Sequence, residues 1–515
     1  MDYLLFNIGV ILVLFIFYGL IYTLGYVFYN LFLHPLRRYP GPLLMRATRA
    51  TYCYKLVMGT LPFEVLDLHK HYGEVVRIAP DELSFANPQA WTDIMGHRAR
   101  GLPEFEKSDN FYRPLSSTPR DIISAQREEH GLLRRQLAHG FSEKSLRGQE
   151  PIIKHYIDLL IRRLQDGCGA GEKALNLVAW YNYTTFDIIG DLAFGEPFGC
   201  LDSSDYHPWV RMIFEVARVG TLLQTANFFP FLKKILFAMA PKSAVEQREN
   251  HHQLTKMKLI KRMEMPGERI DLIEGLLKNK EEWVNNAPKE AKVHKKLTIF
   301  QGLTLDKLQA NSSILIIGGS ETTATLLSGV TFLLLTNPDA LNKVTEEVRS
   351  AFASEDEITF TSVGNLSYML ACLNEALRMC PPGPGGLPRV VPDGGATICG
   401  HYVPEKTTVA VHQWALYHNS NMFSDPFNFH PERHMCDERS ASDSKDALQP
   451  FHLGPRNCLG RHLAYVEMRT ILARVLWNFD MRIAEDSRDW LSRQKVYLPW
   501  QKGALNAYLT PVQRR

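Results

Sequence analysis

The chain lacks most of the features that would assign it to a simple class. Charge of one sign is scarce: 58 Lys and Arg against 55 Asp and Glu leave a net +3. No dense basic block occurs, which argues against binding built on phosphate neutralisation, so no nucleic-acid partner is expected. Cysteine is also scarce, with eight in 515 residues. Cys53, Cys168, Cys200, Cys372, Cys380, Cys399, Cys436 and Cys458 form no CxxC pair, so a disulfide framework is not indicated and a reduced, cytosol-facing body is expected. No internal repeat stands out. What is present is 45% hydrophobic and 22% charged residues, the balance of a globular body large enough to bury a substantial core.

One long hydrophobic run opens the chain. From Leu4 to Phe28 there is no charged residue, and about 25 residues as helix span roughly 37 Å, enough to cross a bilayer. Asp2 stands where a secretory signal would carry basic residues, and Arg37 and Arg38 follow the run. The positive-inside rule therefore places the rest of the chain on the cytosolic side. Asn7 and Thr23 interrupt the run, which leaves a buried core helix as the alternative. Pro35, Pro40, Gly41 and Pro42 cannot continue a helix and read as a stiff connector. The expected division is a transmembrane anchor over 1–33, a Pro-rich linker over 34–42 and a single large domain over 43–515.

Within that domain helical periodicity dominates, so the fold class is mainly α with a minor β region (α+β). Strand-like runs fall at Glu74 to Ile78 and Glu82 to Phe85, and again around Arg389 to Val391, Ala396 to Cys399 and Thr408 to His412. Leu305 to Thr336 reads as one long helix stopped by Asn337-Pro338. The polar tract Asp437 to Asp446 reads as a solvated loop. Asn227 to Ala240 mixes aromatics with Lys233 and Lys234, as a segment at a membrane surface does; a buried core helix is the alternative.

The stretch Phe451-His-Leu-Gly-Pro-Arg-Asn-Cys458-Leu-Gly460 carries the chemistry. Gly454 and Gly460 let the backbone pass close to a flat ligand. Backbone N–H groups and the start of the next helix, roughly Gly460 to Phe479, favour a thiolate at Cys458. Arg456 is placed to pair with a ligand carboxylate, and Phe451 to cover the sulfur.

This stretch resembles the haem-binding signature of the cytochrome P450 family, F-x-x-G-x-R-x-C-x-G, and Phe451, Gly454, Arg456, Cys458 and Gly460 match every fixed position. The resemblance implies the cytochrome P450 fold with an N-terminal transmembrane helix, haem b (iron protoporphyrin IX) as cofactor and Cys458 as axial ligand to its iron. An anionic sulfur ligand favours O–O bond cleavage.

Other landmarks agree in order. Glu375-Ala-Leu-Arg378 has the family's E-x-x-R spacing. So do Glu74/Arg77, Glu215/Arg218, Glu346/Arg349 and Glu485/Arg488, but only Glu375/Arg378 is followed by a Pro/Gly cluster, then Asp425-Pro426, Pro431-Glu432-Arg433 and the cysteine loop. The resemblance implies that Glu375, Arg378 and Arg433 lock together behind the haem as a structural unit. His434 stands where the family often has an aromatic.

Gly318-Gly319-Ser320-Glu321-Thr322-Thr323 resembles the family's [AG]-G-x-[DE]-T-T, in which the helix opens over the haem and an acid and a threonine relay protons; Glu321 and Thr322 would take those parts. Two adjacent glycines are unfavourable in a helix interior by about 1 kcal/mol each, so thin backbone should serve a purpose there. The alternative is small-residue packing with threonines bonded back to the preceding turn. Arg389, and His130 with Arg134 where the family commonly has W-x-x-x-R, are implied as contacts to the haem propionates.

The resemblance covers roughly residues 31 to 510 and is closest in phrasing to fungal microsomal members that tailor secondary metabolites, such as the isotrichodermin hydroxylase group. It implies an NADPH- and dioxygen-dependent monooxygenase anchored in the endoplasmic reticulum membrane. Electrons would come from NADPH–cytochrome P450 reductase, with a small cytochrome b as a further possible donor, since no flavin or nicotinamide module is visible. The substrate would be a small apolar molecule. Expected pocket walls are residues 97 to 120, Ile314 to Gly318, Gly383 to Leu387 and Gln501 to Leu505. Two alternatives stay open: a haem-thiolate enzyme that rearranges a ring or isomerises without inserting oxygen, and a non-catalytic haem-binding protein. Asn182, Asn311 and Asn365 begin glycosylation sequons that a cytosolic body would leave unmodified.

Overall fold

A computed structural model describes residues 2–99, 101–113, 119–229, 233–234, 242–265, 269–278, 299–300, 303–435 and 437–513. Helix predominates and the strands gather into small sheets, the mainly α arrangement with a minor β region that the periodicity implies. Six helices matter to the site: α1 (Asp2–Phe28), α2 (Arg127–Ala138), α3 (Leu177–Phe194), α4 (Leu305–Thr336), α5 (Ser367–Met379) and α6 (Arg461–Asn478).

The organising element is α4. Its N-terminus is capped by Thr304, whose hydroxyl accepts from Lys307 N at 3.2 Å, and it ends at Asn337, with Pro338 opening the next helix. At 32 residues it runs about 48 Å. It is apolar on nearly every side because protein surrounds it, and α3 packs along it. The Tyr181 hydroxyl meets Thr331 Oγ1 at 2.8 Å between the two helices.

The larger sheet has the strand order Val75–Ala79, Glu82–Phe85, Thr408–Ala410, Arg389–Val390, Glu106–Lys107. Thr408–Ala410 runs parallel to Glu82–Phe85 and the other pairings are antiparallel. Four of these strands lie where strand-like runs were expected, Arg389–Val390 and Thr408–Ala410 ending one and two residues early, and Glu106–Lys107 was not expected. Arg389 is thereby fixed in mid-sheet, opposite Val409 on one side and Lys107 on the other.

Helix α1 stands clear of the body, whereas the turn after it, Tyr29–Leu33, reaches the body through the buried Asn30. Phe15 is 75% and Tyr18 71% exposed, unlike a core helix, and Gly9–Leu33 is long and apolar enough to cross a membrane. The Thr23 hydroxyl donates to Gly19 O at 2.7 Å, so it is satisfied within the helix. The expected connector is docked rather than free. Leu36 is fully buried, Asn30 Nδ2 donates to Ala47 O at 2.9 Å, and Arg77 donates to Asn30 O at 2.9 Å and to Pro80 O at 2.6 and 2.9 Å.

One expectation changes. The tract Asp437 to Asp446 is not simply solvated: Ser440 is buried, and the Asp443 side chain, 2% exposed, pairs with Arg433. Most of the segment from Asn227 to Ala240 lies outside the described residues; within it Phe228 sits under the Arg49 guanidinium at 4.2 Å and Phe229 is exposed.

Candidate active site

The cysteine loop turns on Gly454, whose φ is +71°. A Cβ there would lie 2.0 Å from the Met95 carbonyl oxygen. Glycine is therefore demanded by the backbone of a neighbouring turn, in addition to any close approach to a flat ligand. Gly460 has φ −83°, and the nearest atom to a Cβ there is Phe141 Cε1 at 3.7 Å, so the protein itself does not require it. The loop closes through Cys458 N donating to Phe451 O at 2.8 Å. The Phe451 ring packs on Tyr465 at 5.3 Å, with the Arg461 guanidinium 5.7 Å from its centre.

Cys458 has accessible surface yet is ringed by protein, the combination expected of a group that lines an internal cavity. Burial pushes its thiol up, and the Gly460 amide, Arg134 and Arg461 offset this only in part. The expected donors are thus present but do not make a thiolate by themselves. A metal cation at the sulfur would deprotonate it outright.

Beside the loop a group of cations converges from four elements. Arg134, on α2, donates to Asn457 O at 2.7 Å and also bonds Asn457 Oδ1. Arg456 pairs with Glu104 and donates to Ala125 O at 2.8 Å. Arg389 lies 3.7 Å from the same Glu104 and donates to Phe105 O at 3.2 Å, while its Nε is buried without a partner. Burial, then Arg389 and Arg456, push the Lys107 ammonium well down. Burial, then Arg456, Lys107, Arg134 and Arg389, push the His130 imidazole down to about 3, so His130 is neutral and offers a hydrogen bond rather than a charge. Tyr112 joins this cluster, pushed up to about 12 by burial. A surplus of cations around Glu104, with an orphaned guanidinium nitrogen, suits a ligand that carries carboxylates. Lys107, Tyr112 and Glu104 fall in a stretch expected as pocket wall, but no motif marks them.

Between Leu308 and Leu335, α4 exposes only Gly318 and Thr322, one turn apart on one face. Nothing lies within 4 Å of a Cβ at Gly318, whereas a Cβ at Gly319 would meet Ile189 Cδ1 of α3 at 2.6 Å. The two glycines therefore serve different ends: Gly318 leaves open space, and Gly319 allows two helices to close. Helical assignment is continuous through this stretch. The Thr322 hydroxyl donates to Gly318 O at 2.7 Å.

Glu321 does not share that exposure. It is 2% exposed; its Oε1 is paired with Lys502 Nζ and accepts from Thr325 Oγ1 at 3.3 Å, and its Oε2 is buried without a partner. A second buried carboxyl, Glu467 of α6, bonds Thr323 and is pushed up to about 8 by burial, its Oε2 also unpartnered. No sequence pattern announces either Lys502 as a partner or Glu467.

On α5, Glu375 and Arg378 are fully buried. Glu375 Oε1 accepts from Arg378 Nη2 at 2.8 Å, His430 N at 3.2 Å and Arg433 Nε at 3.4 Å; its Oε2 accepts from Arg378 Nε at 3.0 Å and bonds His434 Nε2 at 3.1 Å. Burial raises this carboxyl, but His434, Arg378 and Arg433 together hold it at about 2. Arg433 also bonds Ser424 O at 2.8 Å and pairs with Asp443. His434 is thus a member of the network. The rival E-x-x-R pairs are not built this way: Arg349 turns to Asp480, and Glu485/Arg488 is exposed.

An accessible sulfur ringed by protein, with spare cations to one side, fits an iron porphyrin with its carboxylates, and the class is that of haem-thiolate proteins. The family model described as Cytochrome P450 matches residues 51–506. The chain is 48% identical over 488 residues to the cytochrome P450 monooxygenase tpeC of Talaromyces stipitatus, covering 94% of this chain and 92% of that one. It is 43% identical to averantin hydroxylase of Dothistroma septosporum, over 96% and 90% of the two chains. It is 41% identical to trichothecene C-15 hydroxylase of Fusarium sporotrichioides, over 96% of each. The chain belongs to the cytochrome P450 family. It is a monooxygenase whose cofactor is haem b, with electrons supplied from NADPH through a reductase.

Proposed function

We propose that this monooxygenase is anchored in the endoplasmic reticulum membrane by α1, with the body in the cytosol, and oxidises a small apolar molecule in fungal secondary metabolism. Hydroxylation, epoxidation, desaturation and successive oxidation are all within its chemistry. NADPH–cytochrome P450 reductase is the partner, with a small cytochrome b as a second donor. The relatives named as hydroxylases of averantin and of trichothecenes support the substrate class, and the exposed apolar length of α1 supports the anchor.

The observation that carries the site reading is the accessible Cys458 beside the cations of Arg134, Arg389 and Arg456. Haem bound there supplies binding and reductive activation of dioxygen. Cys458 holds the iron as thiolate. Arg134, Arg389, Arg456 and Lys107 neutralise the propionates, and His130 and Tyr112 add neutral hydrogen bonds. Gly318 keeps the helix surface thin over the cavity. Thr322 holds a hydroxyl proton on Gly318 O, from which it can turn toward the cavity. Glu321 holds and passes protons at Oε2. Glu375, Arg378 and Arg433 brace the far side and touch no reacting atom.

The test is the difference spectrum of the dithionite-reduced, CO-bound protein in solubilised membranes. The red-shifted Soret band of thiolate-ligated haem is expected from the wild type and not from Cys458→Ala. The same band in Cys458→Ala overturns the ligand assignment. Product masses then separate oxygen insertion from rearrangement.

A further inference from the structure

The relay acid is held by a residue that neither the cysteine loop nor the helix motif contains. Lys502 lies 181 residues along the chain from Glu321, beyond the short hairpin Lys495–Val496/Trp500–Gln501. Both side chains are 3% exposed. The ammonium binds Glu321 Oε1 and donates to Thr325 Oγ1 at 2.7 Å, and Thr325 donates to the same Oε1 at 3.3 Å. Every bond to the carboxylate thus falls on one oxygen. The other, Oε2, is buried and has no partner among the described residues. An orphaned carboxylate oxygen in a protein interior is costly unless it serves water or a reacting group.

We propose that Lys502 is the positioning residue of proton delivery: it clamps Glu321 by Oε1 and leaves Oε2 as the atom through which protons pass. The step is balanced within the site. An O–H bond at Oε2 breaks, the proton goes toward the cavity and leaves a carboxylate, and a hydronium ion from solvent restores it and becomes water; the Lys502 hydrogen bond to Oε1 persists throughout and no electron moves. The surroundings agree. Burial pushes the Glu321 carboxyl up and the Lys502 ammonium down, and each is the main charge opposing that push on the other. Tyr206, which bonds Asn182 at 3.2 Å, is the other titratable group that feels Glu321; burial first, then Glu321 among nearby groups, pushes it up, so it stays neutral. Removing Lys502 leaves a buried carboxylate with no cation, and such a group takes up a proton and keeps it.

The proposal rests on the reading of Glu321 as relay acid, and the experiment separates the two. Full-length protein with haem, its reductase and NADPH, without added substrate, is assayed for hydrogen peroxide released per NADPH consumed. Reduction of dioxygen to peroxide takes two electrons and two protons, and reduction to water takes four of each, so failing proton delivery raises the peroxide share. Glu321→Gln is expected to raise it; no change there removes the relay reading itself. Lys502→Met is expected to match Glu321→Gln in peroxide share, with peroxide-free turnover falling about a hundredfold and the acid limb of the pH profile moving to higher pH. Lys502→Arg should return both toward wild type, and Glu321→Gln/Lys502→Met should be no worse than Glu321→Gln alone. A readout independent of turnover is the unfolding midpoint, which should fall in Lys502→Met and recover in the double variant. A raised share in Glu321→Gln with a wild-type share and pH profile in Lys502→Met overturns the proposal. Lys502→Gln keeps a donor to Thr325 without the charge and serves where the methionine variant does not accumulate; a wild-type share in it is equally decisive.

Discussion

Glu375→Gln is the sharpest probe of the buried network, because the change keeps shape and removes only charge. Both oxygens of Glu375 face donors: Arg378 Nη2, Arg433 Nε and His430 N on one side, Arg378 Nε and His434 on the other. Whichever way the amide is turned, its NH2 meets an N–H, and two buried guanidinium groups lose a shared counter-charge. Breaking such a pair costs about 3–5 kcal/mol. The carboxyl's own titration gives an independent figure. It sits at about 2 in the fold against an ordinary 4.5, a difference equivalent to about 3 kcal/mol. The folded value is depressed, so this contribution is complete above 4.5 and is lost as pH falls from there through about 2. The variant should therefore be about 3 kcal/mol less stable near neutral pH, with the gap closing in acid. The assay is urea unfolding in detergent at saturating haem, since bound cofactor adds to apparent stability. His434→Phe, which loses one hydrogen bond, should cost only about 1 kcal/mol. Equal unfolding of Glu375→Gln and wild type near neutral pH, or a gap that does not narrow in acid, refutes the reasoning.

Gly454→Ala places a Cβ 2.0 Å from the Met95 carbonyl oxygen at φ +71° and should cost roughly 3 kcal/mol or more, seen as loss of haem per folded protein. Gly318→Ala meets no atom within 4 Å and should raise stability by about 1 kcal/mol through helix propensity, while its methyl slows turnover by narrowing the cavity. Gly319→Ala presses on Ile189 and should destabilise by about 1 kcal/mol, with Ile189→Val in the same chain restoring part of the loss. Asn182 and Asn311 are buried while Asn365 is exposed, so Asn365 alone among the sequons reports topology. A cytosolic body leaves it unglycosylated, and a glycan there, read by endoglycosidase-sensitive migration, reverses the orientation.

Features contiguous in sequence were legible, and contacts between distant segments were not. The long helix could be read because its apolar run is interrupted by so few charges, and the cysteine loop because its residues sit within one turn-rich stretch. The E-x-x-R spacing was ambiguous five ways, and only its place before the Pro/Gly cluster and the cysteine loop singled out Glu375 and Arg378. At Gly454 one physical cause was hidden, since the carbonyl that excludes a side chain comes from Met95, in another part of the fold. The glycine pair in α4 was read as one device and proves to be two, because adjacent helical residues face about 100° apart. Asp443 and Lys502 could not be read: one sits in a tract of ordinary polar composition, the other in a loop whose only hint was its place near the pocket.

Arg77 has a consequence for where the folded body begins. Its guanidinium is satisfied by carbonyls of Pro80 and Asn30, and the latter belongs to the turn that finishes the membrane-length helix. Leu36, fully buried against the sheet, adds about 2 kcal/mol of apolar burial from the same region. A soluble version cut at the start of the proline-rich stretch would keep Leu36 but strip a partner from a buried cation. One that starts at Tyr29 keeps both. The last turn of the membrane-length segment thus doubles as the first structural course of the catalytic body, so the join between them is a rigid splice and not a tether.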